Sequence, residues 1–164
     1  MWVDHGHHAA FRRAPFERAG GYDTNFEANE DAELDARLRA LGSRIWLDTT
    51  IPVIYYPRGT IAGLARQYFR YGSGRARTSS KHGERLRLRQ MLPPAVTVTI
   101  GCSLLGALLA PALLAIPLAY ALVLVAASAV FAIKERSVIG LLAAPALATM
   151  HVAWGAGFLW RKAI

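Results

Sequence analysis

The chain has 164 residues, 54% hydrophobic and 18% charged, and Lys plus Arg outnumber Asp plus Glu 19 to 11, a formal charge of +8. So apolar a composition excludes a disordered chain, and the single cysteine, Cys102, excludes a disulfide framework and a four-thiolate zinc site. The averages hide two unlike halves, because residues 1–90 hold 15 of the basic and 10 of the acidic residues.

The opening stretch, MWVDHGHHAAFRR, lacks the apolar region of a signal peptide, so the soluble half is expected in the cytoplasm. His8 to Arg12 reads as a short strand and Pro15 to Ala19 as a helical turn, which Gly20-Gly21 ends. Asn29 is placed to cap a helix over Glu30 to Leu41, with Leu34, Leu38 and Leu41 as its apolar stripe. Glu30, Asp31 and Glu33 occupy its first turn, where the helix dipole favours negative charge. Glu33 and Arg37 are spaced to pair, and Gly42 stops the helix. Arg44 to Leu47 and Val53 to Tyr56 read as strands, bounded by Pro52 and Pro57. Thr60 caps a further helix from Ile61 to Tyr71, which Gly72-Ser73-Gly74 is expected to end. Its broad apolar face, beside a basic stretch, suits a membrane interface.

Between Arg66 and Arg89 lie eight basic residues (Arg66, Arg70, Arg75, Arg77, Lys81, Arg85, Arg87 and Arg89) against one acid, Glu84. From Met91 to Ile133 there is no charge for 43 residues, and Ser137 to Trp160 gives 24 more. A helix needs about 20 apolar residues to cross a bilayer. Two spans with a turn bracketed by Pro111 and Pro117, then a third, are therefore expected. A basic segment before the first span fits the positive-inside rule and attracts anionic lipid better than it suggests a nucleic-acid site. His151 falls within the third apolar segment and reads as a packed, neutral histidine bonding a neighbouring helix. Trp46, Trp154 and Trp160 read as core or interfacial aromatics.

Asn29-Glu30-Asp31 is the sharpest local feature. Two adjacent acids at a helix start suit ordinary dipole complementarity. They also suit a general base, which must be a carboxylate or a histidine fixed within reach of a hydroxyl. His5, His7 and His8 are candidate metal-binding imidazoles, and Asp4 is the one carboxylate close by. A loop or strand lining a donor site is the simpler reading of them.

FRRAPFERAGGYDTNFEANEDAELDARLRALGSRIWLD resembles the second half of the catalytic domain of family 2 glycosyltransferases, closest to the succinoglycan-type exopolysaccharide transferases. The resemblance continues through YYPRGTIAGLARQYFRYGSGRART into the apolar tail. It implies a partial GT-A-like α/β domain over residues 1–59, an interfacial helix and basic segment over 60–90, and about three transmembrane helices over 91–164. It implies Asp31 as catalytic base beside Glu30, and it matches Gln67, Arg70 and Tyr71 to a Gln-x-x-Arg-Trp motif, with Tyr in place of Trp, that holds the acceptor or diphosphate. It also implies a nucleotide sugar as donor, a glycan or lipid-linked acceptor, and an inner-membrane enzyme of bacterial type. The family's divalent metal, Mg or Mn, is held by an Asp-x-Asp motif in a preceding nucleotide-binding half, and no such motif stands in residues 1–28. The chain is therefore expected to be a carboxyl-terminal portion, inactive without that half, which a separate polypeptide or upstream sequence supplies. A non-catalytic anchor or assembly subunit of a polysaccharide export complex is the alternative.

Overall fold

The computed structural model describes residues 1–6, 9–83 and 85–163. The chain is mostly helical and divides into two compact units. One comprises Met1–Pro57 with Gly74–Arg85, the other Arg58–Ser73 with Leu86–Ile164.

In the first unit, β1 (Trp2–Val3) pairs antiparallel with β2 (Ile45–Trp46), Trp2 opposite Trp46. This ribbon is the whole of the sheet among the described residues. The expected strand over 53–56 does not form, and Val53 to Tyr56 are exposed coil. A strand needs a paired strand for its N–H and C=O groups, and the ladder among the described residues joins β1 to β2. His8 lies outside the described residues, and residues 9–12 form no strand. Trp46 is not core: it stays 59% exposed, edge-on to Trp2 at 5.0 Å, while the Arg44 guanidinium covers Trp2 at 3.9 Å.

The helices α1 (Arg13–Arg18) and α2 (Glu30–Ala40) end as their glycines require. Gly20 and Gly42 take φ of 80° and 81°, a left-handed conformation that costs glycine little. At α1, Gly20 N–H bonds Glu17 O (3.0 Å) and Gly21 N–H bonds Phe16 O (3.1 Å). At α2, Gly42 N–H bonds Arg39 O (2.9 Å) and Ser43 N–H bonds Leu38 O (2.9 Å). Both are Schellman closures. Leu34 and Leu38 are buried, and full burial of one leucine is worth about 1.5–3 kcal/mol. Leu41, past the last helical turn, is exposed instead, so the stripe is one residue shorter than expected. Asn29 does not cap through its side chain. It sits left-handed, φ 62°, and its carbonyl accepts from Glu33 N–H at 3.0 Å. Asparagine tolerates that conformation better than most residues.

Helix α3 (Ile61–His82) contributes its first part to the second unit and its last part to the first. Thr60 caps it as expected, accepting from Gly63 N–H at 3.1 Å. Gly72-Ser73-Gly74 does not end it. Within the second unit, a Cβ at Gly72 would overlap the Trp154 carbonyl; within the first, one at Gly74 would overlap the Ala28 carbonyl. These glycines serve close backbone approach inside a helix.

The rest of the second unit is α4 (Leu88–Gly106), α5 (Ala115–Lys134) and α6 (Ala143–Ala163), with short 3-10 turns at Pro111–Leu114 and Val138–Leu142. Helix α6 packs against both α4 and α5. At Gly155 a side chain would meet Thr97 and the Pro93 carbonyl, and at Gly157 it would meet the Phe69 carbonyl. Small residues thus let these backbones approach closely. The turn falls earlier than its prolines suggested: α4 ends at Gly106, Pro111 opens a 3-10 turn, and Pro117 lies within the first turn of α5, where proline is tolerated.

Two of these segments, Pro111–Lys134 and Val138–Lys162, are long and apolar enough to cross a membrane. Helix α4 forms where the first span was expected but is less apolar, since it holds Arg89, Gln90, Pro93, Pro94 and two threonines. His151 does bond a neighbouring helix, with its Nδ1 2.9 Å from Tyr120 Oη on α5.

Candidate functional site

Helix α2 presents its carboxylates on two faces. Glu33 is fully buried and forms a hub. It accepts from Arg37 Nε (2.9 Å) and Nη2 (2.6 Å), from Lys81 Nζ (2.6 Å), and stands 2.9 Å from His82 Nε2. Arg37 also donates to Gly21 O (2.7 Å) and to Ala19 O, and Lys81 donates to Asp23 Oδ2 (2.8 Å). Burial alone would raise the Glu33 pKa, but hydrogen bonds from Arg37, Lys81 and His82 outweigh it and hold the carboxyl at about 2. The Lys81 hydrogen bond, with two from Asn25, likewise holds Asp23 far below the usual carboxylate range. The Glu33–Arg37 pair was legible from spacing; Lys81 and His82, nearly 50 residues away, were not.

Asp31 and Asp35 lie one turn apart on a second face. Asp35 is buried and accepts from His5 Nδ1 (2.7 Å) and Gly6 N–H (3.0 Å). The other side of the His5 ring faces Asp31, with Nε2 3.8 Å from Oδ2. Asp31 Oδ1 accepts from Ala32 N–H at 2.7 Å, and its side chain stays 33% exposed. The Asp35 hydrogen bond raises the His5 pKa. Burial opposes this, the Asp31 and Asp35 charges support it, and Arg75 on α3 opposes it. Glu30 is half-buried beside Asp31. The Tyr22 hydroxyl has its pKa raised by burial first, then by the charges of Asp31 and Glu30. Asp35 and Tyr22 escaped the sequence reading; the only available signal for Asp35 was its position four residues after Asp31.

His5 is committed to Asp35 and Asp31, and no group of three or more His, Cys, Asp or Glu among the described residues is placed to hold a cation. His7 and His8 lie outside the described residues.

In the second unit, Gln67, Arg70 and Tyr71 share one face of α3. Gln67 Nε2 donates to Tyr71 Oη at 2.7 Å, Tyr71 meets Tyr68 edge-on at 5.7 Å, and Arg70 is exposed. The basic run is less uniform than its sequence suggested. Arg77 lies over the Phe26 ring at 4.6 Å and Lys81 is bound to Glu33, whereas Arg66, Arg70, Arg85, Arg87 and Arg89 are exposed.

This is a helical protein with an acid-rich helix start and two helices of membrane-crossing length and composition. It is 44% identical, over 164 aligned residues that cover 98% of the chain, to the succinoglycan biosynthesis protein ExoA of Rhizobium meliloti (strain 1021). The chain spans about half of that relative, 48% of its length. No family model matches the chain, and no solved structure matches it.

Proposed function

We propose that these residues form the carboxyl-terminal part of a membrane-bound, inverting family 2 glycosyltransferase of extracellular polysaccharide synthesis. Similarity at 44% identity along nearly the whole chain to a succinoglycan biosynthesis protein carries the reading. Asp31 supports it: its carboxylate is half-exposed, anchored at a helix start and oriented by its neighbours. That geometry suits a general base.

Asp31 takes the proton from an acceptor hydroxyl. The hydroxyl oxygen attacks the anomeric carbon of a nucleotide sugar, and the nucleoside diphosphate leaves from the opposite face, so the configuration inverts. Glu30 orients the acceptor. Gln67 and Arg70 hold the acceptor or the diphosphate, since guanidinium pairs well with anionic oxygens, and Tyr71 offers a flat surface to a sugar ring. The helices α5 and α6, with α4, anchor the chain in the cell membrane, where a lipid-linked or growing glycan is made, with the catalytic part in the cytoplasm. The nucleotide and its metal are held by a half outside these 164 residues.

Nucleotide-sugar turnover by membranes carrying the chain, with and without a nucleotide-binding half joined ahead of residue 1, tests this. Turnover only when both parts are present is the expected result. Its absence from the joined, folded protein would overturn the assignment in favour of a non-catalytic membrane subunit.

A further inference from the structure

The His5 ring stands between the two carboxylates of α2. Buried Asp35 takes Nδ1 at 2.7 Å and, through Gly6 N–H at 3.0 Å, also fixes the backbone next to the ring. With Nδ1 bonded to Asp35, Nε2 lies toward Asp31 Oδ2, 3.8 Å away. The other oxygen of Asp31 is tied to Ala32 N–H. Each oxygen of that carboxylate therefore has a fixed neighbour, which sets its plane, and a third of the side chain still faces solvent.

We infer that His5 is a positioning residue: oriented by buried Asp35, its imidazole sets the Asp31 carboxylate for attack on the acceptor proton. This rests on Asp31 being the base. A carboxylate free to swing about its Cβ–Cγ bond spends less time aligned with the acceptor hydroxyl, and a misplacement of about 1 Å costs on the order of 100-fold in rate. Acceptor and donor binding do not depend on that alignment, so the loss should fall on kcat. The two nitrogens have separable tasks. Asparagine reproduces the Nδ1 contact with Asp35 but has nothing at Nε2. Glutamine places an amide nearer Asp31 and gives up the Asp35 bond.

The test uses the full enzyme in membranes, with its nucleotide-binding half present. His5→Asn should lower kcat roughly 100-fold and leave KM for the nucleotide sugar unchanged within about twofold. His5→Gln should recover part of the loss. In an Asp31→Asn background, His5→Asn should cost nothing further, because positioning acts only through the base. Wild-type kcat in folded His5→Asn would overturn the inference, as would an equal loss from His5→Asn in both backgrounds. Unfolding of His5→Asn and His5→Gln alike would also overturn it, by reducing the imidazole to a packing element. Retained turnover in Asp31→Asn alone would instead overturn the base assignment, and the positioning role with it. Loss in Asp31→Asn with wild-type kcat in His5→Asn removes only the positioning role.

Discussion

Replacing Glu33 by Gln keeps the shape of a fully buried side chain and removes the charge that Arg37, Lys81 and His82 converge on. Holding a carboxyl at about 2 instead of its ordinary 4.5 corresponds to about 3 kcal/mol at neutral pH, at about 1.4 kcal/mol per pH unit. Two features reduce the net loss. Lys81 is 39% exposed, so solvent screens its share, and Arg37 keeps its bonds to the Ala19 and Gly21 carbonyls. A destabilisation of about 2–3 kcal/mol remains, which for a chain of this size lowers the melting temperature by roughly 5–10 °C. The sign with pH follows from the depressed pKa. The contribution is fully present above about 4.5 and is lost as pH falls toward 2. Thermal unfolding in detergent, followed by near-ultraviolet circular dichroism from pH 7 to pH 3, reads both effects. Glu33→Gln should melt lower at neutral pH and lose less on acidification than the parent. Equal melting temperatures at pH 7, or parallel acid profiles, would refute the hub.

Gly157→Ala should destabilise by about 1–3 kcal/mol, because its new methyl meets the Phe69 carbonyl; the same melts detect it. Tyr120→Phe removes the hydroxyl bonded to His151 and should cost about 0.6 kcal/mol, a size usual for hydrogen bonds between membrane helices. Arg70→Ala should raise KM for donor or acceptor with a smaller effect on kcat. Arg70→Lys should not restore it, since an ammonium lacks the paired donors of guanidinium.

What could be read from the chain alone was what is local. Helix α2 declared itself through its acidic first turn, its Leu34–Leu38 stripe and Gly42, and α5 and α6 through the absence of charge. The course of α3 was misread because glycine in a Gly-Ser-Gly run looks like a stop until the backbones it admits, at Trp154 and Ala28, are known. The candidate site was half-legible. Asp31 and Glu30 stood out as an adjacent pair at a helix start, whereas Gln67, Arg70 and Tyr71 were marked by the family resemblance alone. Their partners did not stand out, because Asp35 is an ordinary helical aspartate until the chain brings His5 and Gly6 onto it. The partners of His5 were hidden for the same reason: only tertiary contact sets its imidazole beside Asp35 and Asp31 of α2.

The most direct measurement is the turnover of nucleotide sugar by Asp31→Asn in the full enzyme, in membranes, beside the unaltered protein. Asparagine keeps the size and the Ala32 N–H contact but cannot take a proton. A fall of at least about 100-fold in kcat, with the protein folded and nucleotide-sugar binding retained, is expected of a lost general base. Turnover equal to that of the unaltered protein would contradict the catalytic role of this helix start.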